Sequence, residues 1–396
     1  MPPLRLRGET LSSVISPTVA SPSLGRVRVL HIIQNLNYGG MERLLADIVR
    51  GVDRSRFESH VLVLQYLGRF AQGLEEVAGL HVAGRMSSWS MLRPESLAKQ
   101  IRQIGPDVVH SHSGVWYKAT LAARMAGVPR VIHTEHGRGS PDLLRHRLID
   151  SIASHRTDVV VAVSERLRAQ LVQSRIASAN RVRTVTNGVD TTVFCPRADD
   201  GVLRRELGLS GDTPILGSIG RLESIKGYDV MVEAFAILLS VWRDGAKPIL
   251  VIAGEGSERV RLEARIRELG MSSAVRLLGW RNDTQSLHSA FTAFTLSSRS
   301  EGTSVSLLEA MSSGLCPIVT RVGGNAAVLG DSLAHRLVPS EDPESLANAW
   351  QEGLLDHECR RRDGDRSRQR VRSAFDVKAM VEAYERLYTE RSRSIA

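Results

Sequence analysis

Short runs of β-branched and apolar residues alternate with segments of helical length along most of the chain. In the first half, these runs cover residues 27–33, 60–65, 107–110, 130–134, 158–163 and 183–186. The run at 158–163 is almost entirely apolar, which is typical of a strand buried on both faces of its sheet. Strands that alternate with helices in this way predict an α/β protein with a parallel, doubly wound sheet.

The alternation restarts after a break near residue 190. Residues 187–190, with the sequence Asn-Gly-Val-Asp, and the polar stretch 197–201 indicate a linker. Further strands are predicted at 214–219, 248–253, 275–278, 294–297 and 317–320, with helices at 229–240, 258–269 and 305–311. Because 396 residues also favour two domains, we predict Rossmann-like domains at 26–190 and 191–375. The final segment, 376–396, carries one apolar helical face that must pack on another part of the chain.

The charge of the chain limits its partners. Its 52 Lys and Arg residues against 43 Asp and Glu residues give a formal net charge of +9. This excess favours acidic partners, such as phosphorylated substrates or an anionic membrane surface. Because the basic residues are spread along the chain and are not interleaved with aromatic residues, nucleic acid is not expected as a partner.

The termini and the cysteines bear on location. Residues 1–25 end in a Ser- and Pro-rich stretch and are predicted to form a flexible tail rather than a secretory signal. The three cysteines, Cys195, Cys316 and Cys359, are widely spaced and form neither a disulfide framework nor a zinc pattern. We therefore expect a cytoplasmic protein. The basic charge leaves open a peripheral location on the inner face of the membrane.

The richest polar segment runs from Ser297 to Met311. A predicted strand ends near Ser298, a turn containing Gly302 follows, and a helix is predicted to begin around Ser304. The free amides at a helix start receive phosphate well. Glu301 and Glu309 flank that start, and carboxylates accept hydrogen bonds from paired sugar hydroxyls. Alternatively, Glu301 only favours the helix dipole and Glu309 is only solvated, but the segment as a whole favours a ligand site.

Two glycine-containing loops add further candidates. Arg221 and Lys226 lie in a short loop after the first strand of the second half, and two such cations suit a diphosphate. The loop fits neither the Walker pattern nor Gly-x-Gly-x-x-Gly, and exposed cations on a surface turn are the alternative. In the first half, Gly39 and Gly40 follow strand one and allow a ligand close to the backbone, although a Gly-Gly pair alone is weak evidence.

Histidines cluster where two neighbouring strands end. His110 and His112 follow one strand, and His133 and His136 follow the next. A metal site would need further ligands at suitable spacing, so none is predicted. We expect His110 and His133 to be structural, whereas His136, beside Gly137, is the candidate for contact with a substrate.

These segments, in this order, resemble the family-4 retaining glycosyltransferases, whose GT-B fold has two Rossmann-like domains facing each other across a cleft. The similarity extends from about residue 27 to 388. Its markers are the sequences at 39–42, 107–112, 134–137, 187–190, 220–227 and 253–256, and above all Glu301 with Glu309. The Gly-Gly-Met-Glu and Glu-His-Gly sequences further resemble sugar transferases of bacterial exopolysaccharide systems.

The resemblance implies roles for the second half of the chain. Arg221 and Lys226 would bind the diphosphate of a nucleotide-sugar donor, and Glu309 would bind its ribose hydroxyls. Glu301 would contact the transferred sugar, and residues after Leu278 would flank the base. The donor phosphates would also be held by backbone amides of a set of three residues, Thr303, Ser304 and Val305.

For the first half, the resemblance places Gly39 and Gly40 against the diphosphate and His136 beside the reacting side of the sugar. The catalytic set would be Glu301, His136, Arg221 and Lys226. The segment 376–396 would cross back onto the first domain.

The implied reaction transfers a sugar from a nucleotide diphosphate to a hydroxyl acceptor, a glycan or a lipid-linked glycan, with retention and without a metal or cofactor. One feature departs from the family pattern. After Gly323 and Gly324 the family often carries Pro-Glu, whereas this chain has Asn325 and two alanines. The alternatives are a non-catalytic nucleotide-sugar-binding protein and a nicotinamide-dependent oxidoreductase, which would need a Gly-x-Gly-x-x-Gly turn.

Overall fold

A computed structural model of the chain describes residues 25–37, 39–83, 93–137 and 144–390. The predicted flexible tail, apart from Gly25, and the last six residues of the predicted C-terminal segment lie outside the described residues. Within the described residues, no helix is long and apolar enough to cross a membrane.

The first half of the described chain forms a seven-stranded sheet in which all strands are parallel, with the spatial order β3-β2-β1-β4-β5-β6-β7. Its strands are β1 (Val27–Ile33), β2 (Phe57–Val63), β3 (Gly79–Val82), β4 (Val108–His112), β5 (Arg130–Glu135), β6 (Val159–Ala162) and β7 (Val182–Thr184). The helices between them are α1 (Gly40–Gly51), α2 (Glu95–Ile104), α3 (Trp116–Met125), α4 (Leu144–His155) and α5 (Glu165–Gln173).

The second half repeats this plan in a six-stranded parallel sheet, ordered β10-β9-β8-β11-β12-β13 among the described residues. Its strands are β8 (Ile215–Ile219), β9 (Ile249–Ala253), β10 (Val275–Gly279), β11 (Ala293–Leu296), β12 (Pro317–Thr320) and β13 (Leu337–Val338). The helices are α6 (Val202–Leu207), α7 (Tyr228–Val241), α8 (Arg259–Glu268), α9 (Thr284–Ala290), α10 (Val305–Ser312), α11 (Asn325–Leu329), α12 (Pro343–Leu355), α13 (His357–Ala374) and α14 (Val377–Thr389).

Both sheets reverse their strand order beside their first strand, between β1 and β4 and between β8 and β11. In open α/β sheets, ligands bind outside the carboxyl ends of the strands at this reversal. The loops that follow β1, β5, β8 and β11 are therefore the ones placed to build a site.

The C-terminal helix α14 packs against the first sheet, although it follows the second sheet in sequence. Tyr384 and Tyr388 are buried in one apolar cluster with Val29 and Phe57. The chain crosses between the two halves twice, near Val189 and near Phe375. The two crossing segments lie side by side, because the Val189 N–H donates to the Phe375 carbonyl at 2.9 Å. The apolar face of the predicted final helix thus fills the core of the first half.

The predicted fold class is confirmed, and every predicted strand is present with its ends shifted by at most three residues. Two strands were missed. The edge strand β3 is only partly buried and lacks an apolar run, and β13 is two residues long. Neither carries the alternation on which the prediction depended.

Candidate active site

A cleft of about 610 Å³ lies between the two halves and is lined by residues of both. Every residue proposed for the site from the sequence lines it: Gly39, Gly40, His136, Arg221, Lys226, Glu301, Thr303, Ser304, Val305 and Glu309. These residues come from loops and helix starts that lie far apart in sequence. They meet because each loop follows a strand beside or near the point where the strand order of its sheet reverses.

Lys226 and Glu301 form an ion pair inside the cleft. The Lys226 ammonium donates to Glu301 Oε1 at 2.6 Å, and the Ser298 hydroxyl donates to the same oxygen at 2.6 Å. The Lys226 and Glu301 side chains are 17% and 8% exposed, so the pair is largely screened from water. The cation predicted for a diphosphate is therefore held next to the carboxylate predicted for the sugar.

The start of α10 is held against the first half of the protein. The Thr303 hydroxyl donates to the Val163 carbonyl at 2.9 Å, and the Asn187 amide donates to the Thr303 carbonyl at 2.9 Å. A side chain at Gly302 would overlap the His136 carbonyl oxygen, so only glycine allows this approach. Because the first amides of a helix have no intrahelical acceptor, this cleft-lining segment offers N–H donors to an anion.

Glu309 lies on the first turns of α10 and is 6% exposed. Burial raises the pKa of its carboxyl group from 4.5 to about 7, against the opposing attraction of Arg43 on α1. Arg43 also lines the cleft, and its contribution was missed from the sequence. Its position directly after the Gly-Gly-Met-Glu sequence was the available signal.

If Glu309 binds the ribose as the resemblance implies, we expect nucleotide affinity to rise about tenfold between pH 6 and pH 8, because the carboxyl group must lose its proton before it accepts from both hydroxyls. Between pH 4.5 and about 7, Glu309 keeps its proton in the folded chain and loses it in the unfolded chain. The contribution of Glu309 to the free energy of unfolding therefore falls as the pH rises through that window. Calorimetric titration with UDP in two buffers of different ionisation enthalpy measures the affinity and the released proton. Glu309→Gln should lose most of the pH dependence, and equal wild-type affinities at pH 6 and pH 8 would contradict the prediction.

Arg221 follows β8 and lies close to the start of α1 in the first half. Burial raises the pKa of the Glu42 carboxyl group to about 7, and the charge of Arg221 lowers it in part. Glu42 was identified only as part of a motif. The structure places it as an acidic neighbour of the cation expected to bind phosphate.

Trp280 of the second half and Arg69 of the first half both line the cleft and contact each other. The Arg69 guanidinium lies 4.4 Å from the centre of the Trp280 ring, within range of a cation–π interaction. Trp280 therefore lines the cleft, and its expected role beside the base stays a prediction. Arg69 was not found from the sequence.

His136 lies at the edge of the cleft, with its ring nitrogen Nε2 3.1 Å from Nδ1 of His112. Burial lowers the pKa of His136 to about 4, so the ring is neutral at pH 7. The two histidines expected to be structural, His110 and His133, are fully buried. His31 was missed because it lies in the middle of an apolar strand. One of its ring nitrogens nevertheless lies within 4.8 Å of one ring nitrogen each of His110 and His112.

The segment that departs from the family pattern packs beneath Glu301. A side chain at Gly323 would overlap the Glu301 carbonyl oxygen, and the Gly324 amide donates to the Gly302 carbonyl at 2.9 Å. Asn325 is buried, and its amide donates to the Thr320 carbonyl at 2.9 Å. The two glycines therefore support the Glu301 loop, while Asn325 closes the turn after β12.

Two family models match the chain in tandem. The model described as Glycosyltransferase Family 4 matches residues 38–193, and the model described as Glycosyl transferases group 1 matches residues 199–370. The chain belongs to glycosyltransferase family 4. This assignment confirms the resemblance and argues against the alternative of a nicotinamide-dependent oxidoreductase.

Two named bacterial proteins are similar in sequence to this family-4 protein. The UDP-Gal:alpha-D-GlcNAc-diphosphoundecaprenol alpha-1,3-galactosyltransferase of Escherichia coli is 29% identical over 266 residues, 64% of this chain and 68% of that protein. A protein of Bacillus subtilis (strain 168) with the provisional name glycosyltransferase EpsF is 28% identical over 332 residues, 79% of this chain and 84% of the relative.

A solved structure shares the fold of this family-4 protein. The crystal structure of Anabaena Alr3699/HepE in complex with UDP-glucose matches with a TM-score of 0.80 at 21% identity, covering 92% of this chain and 100% of that one. At this identity the match shows the fold alone, which is the GT-B architecture that the sequence predicted.

Proposed function

We propose that this protein transfers a sugar from a nucleotide-diphosphate sugar to a hydroxyl acceptor, with retention of anomeric configuration and without a metal. The observation that carries the proposal is the convergence of Arg221, Lys226 and the start of α10 on one cleft, opposite Gly39 and Gly40. A guanidinium, an ammonium and a row of amides form a donor set for a diphosphate that leaves as an anion.

In the proposed reaction, the bond between the sugar C1 and the β-phosphate oxygen breaks, and the acceptor oxygen bonds to C1 on the same face. Negative charge grows on the β-phosphate, where Arg221 and Lys226 are already in place to stabilise it. The acceptor hydroxyl gives its proton to the departing phosphate, so no protein base is needed. Glu301, which accepts hydrogen bonds from Ser298 and Lys226, would orient the sugar.

The donor is proposed to be a UDP-linked hexose, with GDP-linked sugars as the alternative. The named substrate of the Escherichia coli relative is UDP-Gal, and the Anabaena protein of the same fold was crystallised with UDP-glucose. The two candidate donors differ in the size of their base, and Trp280, which lines the cleft, would flank that base.

The decisive test is a transfer assay with radiolabelled UDP- and GDP-sugars on extracted bacterial lipid-linked glycans. We expect a labelled lipid product from a UDP-sugar, and NMR of the isolated product should show an α-linkage from an α-linked donor. Tight nucleotide-sugar binding without transfer to any acceptor, and without slow donor hydrolysis, would instead support the non-catalytic binding protein.

The acceptor is proposed to be lipid-linked and to be reached at an anionic membrane surface. Helix α4 begins eight residues after His136 in sequence and carries Leu144, Leu148 and Ile152 at four-residue spacing, 78%, 65% and 40% exposed. Arg145 is exposed beside this stripe. An exposed apolar stripe with adjoining basic residues suits a helix that lies in a lipid headgroup layer, and the relative from Escherichia coli is named for a diphosphoundecaprenol substrate.

Leu148→Glu is expected to weaken binding to vesicles that contain phosphatidylglycerol by about tenfold, because the change places a negative charge in the stripe. Flotation of the protein with vesicles measures the bound fraction. The matched control is Val260→Glu, which alters a 76% exposed residue of α8 in the other half. Equal flotation of both variants and the wild type would count against membrane contact through α4.

A further inference from the structure

Three histidines form a continuous line from the cleft into the core of the first half. His136 Nε2 lies 3.1 Å from His112 Nδ1, and His112 Nε2 lies 3.3 Å from His31 Nδ1. The rings are close to parallel in both steps, with angles of 25° and 20° between their planes. The line therefore joins a residue of the cleft to the middle of β1.

All three rings are uncharged at neutral pH. His31 and His112 are fully buried, and burial lowers the pKa of His31 to about 3, of His136 to about 4, and of His112 well below 6.5. A neutral imidazole carries one N–H donor and one bare nitrogen acceptor. Each ring in the line must therefore donate at one end and accept at the other, so the three protons all point the same way.

The inner end of the line decides which way. His31 Nε2 is buried and has no hydrogen-bond partner among the described residues. If the protons pointed inward, His31 Nε2 would be an N–H donor buried in the core without an acceptor. Buried N–H groups without an acceptor are rarer in proteins than buried acceptors without a donor. If the protons point outward, each ring carries its proton on Nδ1, and the N–H without a partner is that of His136 instead. His136 lines the cleft whereas His31 does not, so a bound substrate can supply the acceptor only for the outward orientation.

We propose that His112 and His31 are positioning residues that hold His136 as the Nδ1–H tautomer. Free histidine in water carries its proton mainly on Nε2, so the line imposes the less common form. Nδ1 of His136 is itself covered and has no hydrogen-bond partner among the described residues. The line thus fixes an N–H donor on a residue that lines the cleft, where an oxygen atom of the proposed nucleotide sugar would accept from it.

A metal ion is the competing explanation for the group His31, His110 and His112. Both ring nitrogens of His112 are already bonded within the line, and those of His110 lie 2.9 Å from the Tyr388 hydroxyl and 2.7 Å from the Thr134 hydroxyl. A metal would displace these bonds, so the geometry favours hydrogen bonding.

The tautomers are measured directly by long-range ¹H–¹⁵N correlation spectra of the full-length protein labelled in histidine, with signals assigned through single variants. We expect Nδ1–H for His31, His112 and His136 in the wild type, and a shift of His136 towards Nε2–H in His112→Phe. Nε2–H at His136 in the wild type overturns the proposal, and so does stoichiometric zinc in the purified protein.

Kinetics test the consequence for transfer, and this part rests on the proposed function. His112→Phe is expected to lower kcat by about tenfold with donor KM unchanged, the usual effect of losing a group that orients a functional histidine. His112→Asn, whose amide replaces Nδ1 as donor to His136, should restore most of kcat. The matched control is His133→Phe, an equally buried histidine that is bonded to Ser111 and lies outside the line.

The outcomes separate the two ideas. If the wild type transfers no sugar, the proposed function fails while the tautomer measurement still decides the inference. If His112→Phe leaves both the His136 tautomer and kcat unchanged, the inference fails while the proposed function stands. Melting temperatures of all variants show whether a loss of kcat reflects unfolding.

Discussion

Replacing Arg221 or Lys226 with alanine is expected to lower kcat for sugar transfer by about 10²–10³-fold, because each removes a preorganised charge from the leaving phosphate. Arg221→Lys should recover only part of the rate, since an ammonium lacks the two-pronged geometry of a guanidinium. Steady-state kinetics with the preferred nucleotide sugar measure the effect. Near-wild-type transfer by both alanine variants would refute the proposed diphosphate site.

Lys226 needs an additional control because its removal leaves the Glu301 carboxylate without its cation. The double variant Lys226→Ala, Glu301→Gln removes that uncompensated charge, so it should regain the melting temperature of the wild type while staying inactive. Two exposed cations of the second half, Arg267 and Lys247, serve as matched alanine controls and should leave kcat unchanged. Together these variants separate loss of catalysis from loss of folding.

Gly323→Ala is expected to reduce kcat by about 10²-fold, a loss typical of displacing catalytic groups by about 1 Å. The backbone at Gly323 has a φ of 53°, and an added methyl group would overlap the Glu301 carbonyl oxygen. The loop that carries Glu301 and Gly302 must therefore shift from its present position. Gly211→Ala, where a methyl group has no neighbour within 4 Å, is the matched control.

A combined measurement distinguishes a displaced loop from a disrupted fold in this variant. Gly323→Ala should keep its far-UV circular dichroism spectrum and lose affinity for the nucleotide sugar more than for UDP alone, because Glu301 contacts the sugar in the proposed complex. Wild-type kinetics for Gly323→Ala would show that the loop tolerates the shift.

The fold was predictable because the apolar strands of a doubly wound sheet are buried on both faces and stand out in the sequence. The residue types of the cleft were predictable for a related reason, since ligands of such sheets bind where the strands end. The pairing of Lys226 with Glu301 was not, because the two residues are 75 positions apart and meet only through packing of the loops after β8 and β11. Interactions between such loops leave no local pattern.

His31 and Arg69 show two further reasons why a sequence conceals functional groups. His31 is surrounded in sequence by apolar residues, so it is hidden by the same pattern that predicts β1. Arg69 follows a loop in the first half, and its contact with Trp280 depends on how the two halves face each other. The raised pKa of Glu309 likewise comes from burial beneath α1, which the helical pattern of α10 does not contain.

The docking of α14 on the first half has a consequence for biosynthesis. Tyr384, Leu387 and Tyr388 complete a core whose other members, such as Val29 and Phe57, leave the ribosome more than three hundred residues earlier. The apolar surface of the first half therefore stays exposed while the second half is translated. If translation stalls before residue 380, α14 cannot cover this surface, and the surface is open to aggregation or to chaperone binding.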